Sequence, residues 1–396
     1  MRRSLIRSLV AVSAAAALVA SGCTDDDDNG AEPDETEAPA TTGGLGTEPA
    51  ATGATTPATG ATTPGTGTAD EVQTGESTLD TVIANDVVRC GTRDDLPGFA
   101  TVDQAGDHVG FDADFCRVIA AAVLGDATKV DFVDVATEDR FTALQSGEID
   151  VLVRNTTWTA GRDGGEGATF LQPTFYDGQG MMVAADSGFA SVEDMDGVTV
   201  CVAQGTTTEG NAAAEATRLG LEWEIRPFAD VDLIQEAFLA GQCDGWSSDV
   251  SQLTGLRSAY PDGPEALTIL PEVFSKEPLA PAVADGDTTW AQAVGWAILA
   301  TIQAEEFGIT SENVEGFDAG TDPNLQRFLG LEVEGDEGAA VLDPGLGLAP
   351  DFAVAVVSQV GNYGEIFETH LTPLGLERGI NALWTDGGLQ YAPPYR

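Results

Sequence analysis

Leu144-Gln145-Ser146-Gly147-Glu148-Ile149-Asp150 and Phe238-Leu239-Ala240-Gly241-Gln242-Cys243-Asp244 share one plan, with a glycine four residues and an aspartate seven residues into each. Each stretch ends a helical pattern and begins an extended one, with Gly147 and Gly241 as the stops. Working outward from the first copy, the apolar spacing predicts strands over 87–90, 130–135 and 149–153 and a short helix over 138–145. It also predicts a helix over 111–124, where Phe115, Ile119, Ala122 and Val123 share a face. Around the second copy the order recurs, with strands over 198–203 and 224–227 and helices over 209–219 and 233–240. Strands alternating with helices in two successive copies predict an α/β chain of two similarly built lobes, each on a parallel sheet.

Composition narrows the function. The chain has 396 residues, 42% of them hydrophobic, and carries 17 Lys and Arg against 65 Asp and Glu, a formal net charge of -48. Such a field repels phosphate backbones and anionic headgroups, which argues against nucleic-acid binding. Two histidines leave little material for imidazole metal sites, and no metal or cofactor is expected. Arg2, Arg3 and Arg7 precede an apolar run over 9–20, shorter than the ~20 residues that span a bilayer, so residues 1–22 read as a signal peptide. Val19-Ala20-Ser21-Gly22-Cys23 resembles a lipobox, with Ala20 where leucine is usual, and this makes Cys23 the expected lipidation site. Residues 23–78 are acidic and then rich in Thr, Pro, Gly and Ala, a composition that buries too little to fold. They read as a tether reaching roughly 40 Å.

With Cys23 set aside, Cys90, Cys116, Cys201 and Cys243 remain, an even set in an exported chain that reads as two disulfides with three possible connectivities. Sequential pairing keeps each bridge within one lobe. No CxxC spacing supports zinc.

Ligands of open parallel sheets bind beyond the carboxyl ends of the strands. Three such ends are polar here: Arg154-Asn155-Thr156-Thr157-Trp158-Thr159 with Arg162, Gln204-Gly205-Thr206-Thr207-Thr208, and Ser247-Ser248-Asp249. An amino-acid zwitterion needs a cation for its carboxylate and an anion for its ammonium. Arg162 offers a planar fork to a carboxylate. The 206–208 segment opens a helix, whose free N–H groups also favour an anion. Asp249 is the acceptor for the ammonium, helped by Thr157 and Asn155.

The segments LPGFATVDQAGDHVGFDADFCRVIAAAVLGD (96–126), DRFTALQSGEIDVLVRNTTWTAGRD (139–163), TFYDGQGMMV (174–183), VCVAQGTTTE (200–209), SKEPLAPAV (275–283), AEEFGIT (304–310), VGNYGEIFE (360–368) and INALWTDGGLQYAPP (380–394) resemble the general L-amino-acid-binding proteins of ABC uptake systems, within the polar amino acid binding family. The resemblance runs from about residue 79 to 396. It implies a two-lobed periplasmic-binding-protein-like fold of type II, with two crossover strands and the ligand in the inter-lobe cleft. Lobe 1 is then expected over 79–183 and 283–396, and lobe 2 over 184–282. It also implies the bridges Cys90–Cys116 and Cys201–Cys243, Arg162 on the α-carboxylate, and Asp249 on the ammonium. Thr157 and Asn155 stand on the first-lobe side of the ligand, and Thr207 adds hydrogen bonds from the second. Phe99, Trp158 and Tyr176 are expected to wall the side-chain pocket. Arg93 and Arg154 suit acidic or amide side chains, whereas Asp94 or Asp95 would suit basic ones.

The expected protein is extracytoplasmic and monomeric. It is held to the outer face of the cell membrane by its lipid, or is periplasmic, and its partners are an L-amino acid and the permease subunits. The alternatives are a dehydratase-like enzyme on the same fold and an amino-acid-sensing receptor module. No GxSxG elbow, HExxH pair, P-loop or GxGxxG is present, so the sequence offers no catalytic residue.

Overall fold

The computed structural model describes residues 77–333 and 345–395. The signal peptide, Cys23 and nearly all of the tether lie outside the described residues. The described residues begin at Ser77, inside the segment 23–78 read as a tether. Ser77 caps the helix Thr78–Asn85, and its hydroxyl donates to Asp287 at 3.0 Å.

Two five-stranded sheets carry the fold. The first runs Val130–Asp134, Val88–Thr92, Val151–Leu152, Ala282–Ala284, Ala168–Phe170, and the second Glu224–Phe228, Thr199–Ala203, Gly245–Asp249, Gln179–Ala184, Leu267–Ile269. In each, the first three strands are parallel and the last two join antiparallel. The repeated sequence plan therefore corresponds to a repeated sheet plan. The helix Phe111–Leu124 falls where the apolar spacing puts it, closed by Gly125 in a left-handed conformation.

The sheets are joined by an antiparallel pair of crossover strands, Phe175–Asp177 and Glu277–Leu279. Gln179–Ala184 pairs with Gly245–Asp249 and so belongs to the second lobe. The expected boundary at 183/184 moves to Asp177–Gly178, and the return boundary moves from 282/283 to the Glu277–Leu279 strand.

Helices Thr288–Glu306, Phe352–Gln359 and Tyr363–His370 return to the first lobe and pack on Phe111–Leu124. The tail beyond Gly316 belongs to the same compact unit as the lobes. Phe99, Phe111, Phe175, Tyr363 and Phe367 interlock there, mostly edge to face. Phe99 is wholly buried in this cluster, so the expectation that it walls a ligand pocket is corrected. Among the described residues, no helix is long and apolar enough to cross a membrane.

Bridges join Cys90 to Cys116 and Cys201 to Cys243, each inside one lobe. Each ties the central parallel strand of its sheet to a neighbouring segment. Replacing Cys201 and Cys243 together by alanine is expected to cost about 3–4 kcal/mol in denaturant unfolding, and an unchanged unfolding midpoint would contradict that role.

Candidate functional site

One cavity lies between the lobes at the carboxyl ends of the strands. Arg93, Thr137, Arg140, Arg154, Asn155, Thr157 and Arg162 line it from the first lobe, and Thr206, Thr207, Thr208, Ser248, Asp249 and Gln252 from the second. Six of the eight residues expected at a ligand site therefore meet in one place. Phe99 does not, and neither does Trp158, which is exposed and stacks on Phe170 with ring centroids 6.4 Å apart. Tyr176 sits in a crossover strand, outside the lining.

Arg162 is carried by the short helix Ala160–Gly165, whose first turn is fixed by Thr159 accepting from the Arg162 backbone N–H at 3.2 Å. Its guanidinium donates to the Thr157 carbonyl at 2.9 Å and lies 5.8 Å from the Phe141 ring centroid. Burial pushes its pKa down, while the charges of Glu277 and Asp249 act in the opposite direction. Arg162 and Asp249 thus feel each other's field across the cavity without forming an ion pair.

Asn155 has φ 30°, the left-handed region where a non-glycine residue is strained. Asp112 holds it there, accepting from the Asn155 N–H at 2.8 Å. The Asn155 amide joins Arg93 and Gln252, each at 3.1 Å. Burial pushes the Asp112 carboxyl up to about 6, against the Asn155 hydrogen bond and the charges of Arg93 and Arg154.

On the facing lobe, helix Thr207–Leu219 starts at Thr206 with no side-chain cap, leaving its first N–H groups toward the cavity. The Thr206 hydroxyl instead donates to the Ala203 carbonyl at 2.7 Å. Asp249 ends the strand Gly245–Asp249. Burial, then repulsion from Asp177 and Glu277, drives its pKa well above the carboxylate range. Burial likewise pushes Asp177 up to about 6. Asp177 and Glu277 face each other across the crossover pair. Glu277 is already satisfied by Thr207, Asn211 and Ser275, at 3.0, 2.7 and 2.6 Å. This end of the cavity suits a cation and the Arg162 end suits an anion.

Arg154 stands at a strand end that the sequence marks as polar, whereas Arg140 carries no clear sequence signal. Arg140, at the start of helix Arg140–Ser146, is 4% exposed. Among the described residues it donates to the Thr137 carbonyl at 2.7 Å, Thr156 at 3.4 Å and the Gly205 carbonyl of the other lobe at 3.5 Å. Burial, and then repulsion from Arg162, drives its pKa well down. Arg154 donates to Thr137 at 3.0 Å, and its buried Nε has no partner. Burial, and then Arg93, brings Arg154 to about 9. Among the described residues, neither guanidinium has a carboxylate at ion-pair distance. Arg93 does, in Asp95.

The lobes touch. Thr157 and Thr207 hydroxyls are 3.5 Å apart, and Arg93 reaches Gln252 at 3.3 Å. A Cβ on Gly255 would stand 2.5 Å from the Pro97 carbonyl of the facing lobe, so this closed contact requires glycine.

The family described as bacterial extracellular solute-binding proteins, family 3, matches residues 88–312, and the chain belongs to it. The chain is 46% identical over 323 residues to the general L-amino acid-binding periplasmic protein AapJ of Rhizobium johnstonii, covering 81% of this chain and 93% of that one. It is also 46% identical to the glutamate/glutamine/aspartate/asparagine-binding protein BztA of Rhodobacter capsulatus, with 81% and 94% covered. A solved ABC transporter periplasmic binding protein of Brucella ovis, with glutathione bound, superposes with a TM-score of 0.77 at 42% identity, covering 81% of this chain and all of that one.

A buried arginine without a carboxylate partner adds little stability, because desolvation offsets its remaining contacts. Arg140→Met is therefore expected to leave the ligand-free unfolding temperature unchanged or raised, read by calorimetry. A fall of many degrees would show that the guanidinium is a structural strut.

Proposed function

We propose that this chain captures L-amino acids outside the cytoplasm and presents them, enclosed between its lobes, to an ABC importer. One observation carries the reading. Arg162 on the first lobe and Asp249 on the second lie across one cavity, unpaired with each other, as the two ends of an α-amino acid require. The α-carboxylate sits on Arg162 and the N–H groups opening helix Thr207–Leu219. The ammonium sits at Asp249, where it relieves the repulsion among Asp249, Asp177 and Glu277. The ligand touches both lobes, so it binds the closed state preferentially and shifts the population toward it.

The side chain points toward Arg140 and Arg154, which favours acidic and amide side chains within a broad range. AapJ and BztA, both named as amino-acid-binding proteins, support this range. The chain acts as a monomer and as a binding protein without catalysis, the cavity's charged groups matching the ends of a ligand. Lipidation of Cys23 tethers it to the outer face of the membrane.

Isothermal titration of the full chain with the L-amino acids, one at a time, tests the reading. Binding by many of them, with D-isomers inert, is expected. Arg162→Ala is expected to weaken every ligand by about 2–5 kcal/mol. Arg140→Met is expected to weaken L-glutamate roughly 30-fold or more, while L-norvaline stays within about threefold, a ligand-selective loss of one charged contact. An Arg162→Ala variant with unchanged affinities would place the ligand elsewhere.

A further inference from the structure

The geometry points to Asn381 as a positioning residue of the hinge: its side-chain amide pins the first crossover strand to the first lobe, so that closure turns at Asp177–Gly178. The role rests on the proposed capture of amino acids by lobe closure.

In an antiparallel pair a residue's N–H and C=O point to the same side, and alternate residues face the partner strand. Tyr176 stands opposite Pro278, which has no N–H and whose carbonyl accepts from Trp158 at 2.9 Å. The N–H and C=O of Tyr176 therefore face away from the partner strand. Asn381 takes both: its Oδ1 accepts from the Tyr176 N–H at 2.6 Å, and its Nδ2 donates to the Tyr176 carbonyl at 2.9 Å. One amide side chain thus stands in for a third strand. Two residues earlier, the Thr174 carbonyl accepts from the Tyr363 hydroxyl at 2.8 Å and from Gln390 at 3.3 Å.

Asn381 is itself held rigidly, at 3% exposure. Arg378 donates to its carbonyl at 3.1 Å and grips Glu305 of helix Thr288–Glu306 through two bonds of 2.9 and 3.0 Å. The Arg378 guanidinium also lies 4.9 Å from the Tyr363 ring centroid. All the anchors belong to the first lobe. One residue beyond Tyr176 the attachments change sides: the Asp177 carboxylate accepts from the Ser251 N–H at 3.2 Å, and the Gly178 carbonyl from the Val250 N–H at 2.9 Å. The crossover has no slack between the two grips. A Cβ on Gly178 would stand 2.9 Å from the Ser275 carbonyl and 2.3 Å from the Val273 side chain, so the pivot favours glycine. Asn381 and its supports from Tyr363 onward lie outside residues 88–312, the part that matches the family.

Pinning the crossover removes open conformations that are far from the closed one, which lowers the ordering cost of binding any ligand. The test combines amide hydrogen exchange with titration of the full chain, using L-glutamate and L-glutamine as probes. The Tyr176 amide is expected to be protected with and without ligand. Asn381→Ala is expected to speed its exchange about tenfold or more and to lower affinity for both probes by one common factor, roughly three- to tenfold. Gln390→Ala, which leaves the Asn381 pair intact, is expected to give a smaller loss of the same kind. Rapid Tyr176 exchange in the unaltered chain overturns the proposal. So does faster exchange in Asn381→Ala with affinity unchanged, or a loss confined to one probe, which would mean a change in the pocket. If the unaltered chain binds neither probe, the reading of function fails, while Tyr176 protection in the ligand-free chain still decides whether the pin exists. Should Asn381→Ala not fold, that same measurement on the unaltered chain decides alone.

Discussion

Arg140, Arg154 and Arg162 on one lobe and Asp249 on the other are enclosed in a closed cleft without forming ion pairs with one another. In a low-dielectric enclosure such separation is costly, because each charge has lost water and gained only dipoles in return. The directions of the pKa shifts express that cost: the arginines are pushed down and Asp249 and Asp177 up. On the proposed function, a zwitterion supplies opposite charge at both ends and stabilises the closed arrangement far more than the open, hydrated one. Binding and closure are then one event.

That event needs lobes that move as bodies about a short pivot. The two sheets provide the bodies, each stapled by one bridge at the middle of its three parallel strands. The aromatic cluster around Phe111 ties the carboxyl-terminal helices to the first lobe. The segment that follows those helices then reaches the crossover through Asn381 and Gln390. The tail beyond the family match thus shares a core with the ligand-binding lobe and contacts its hinge.

The sequence showed the two-lobed plan because glycine stops and apolar spacing are local signals, and both copies of the motif carry them. The placing of Arg162 and Asp249 at one cavity was legible because strand ends are where an open sheet exposes its polar residues. Arg140 was not, since a residue at a helix start beside a run of acids reads as solvated surface. Asp177 and Glu277 were missed because crossover strands have no periodicity of their own, and the two paired residues stand 100 positions apart in the chain. Phe99 misled for a related reason: next to Gly98 it reads as a loop aromatic, while its contacts with Phe111 and Phe175 are tertiary. Asn381 bonds a strand 205 residues away, and no local pattern encodes that.

A crystal structure of the chain grown with L-glutamate tests the central claim most directly. The account requires closed lobes, with the α-carboxylate on Arg162 and the opening turn of helix Thr207–Leu219, the ammonium at Asp249, and the side-chain carboxylate toward Arg140 and Arg154. A ligand bound in the reverse sense, or outside the cavity between the lobes, would contradict it.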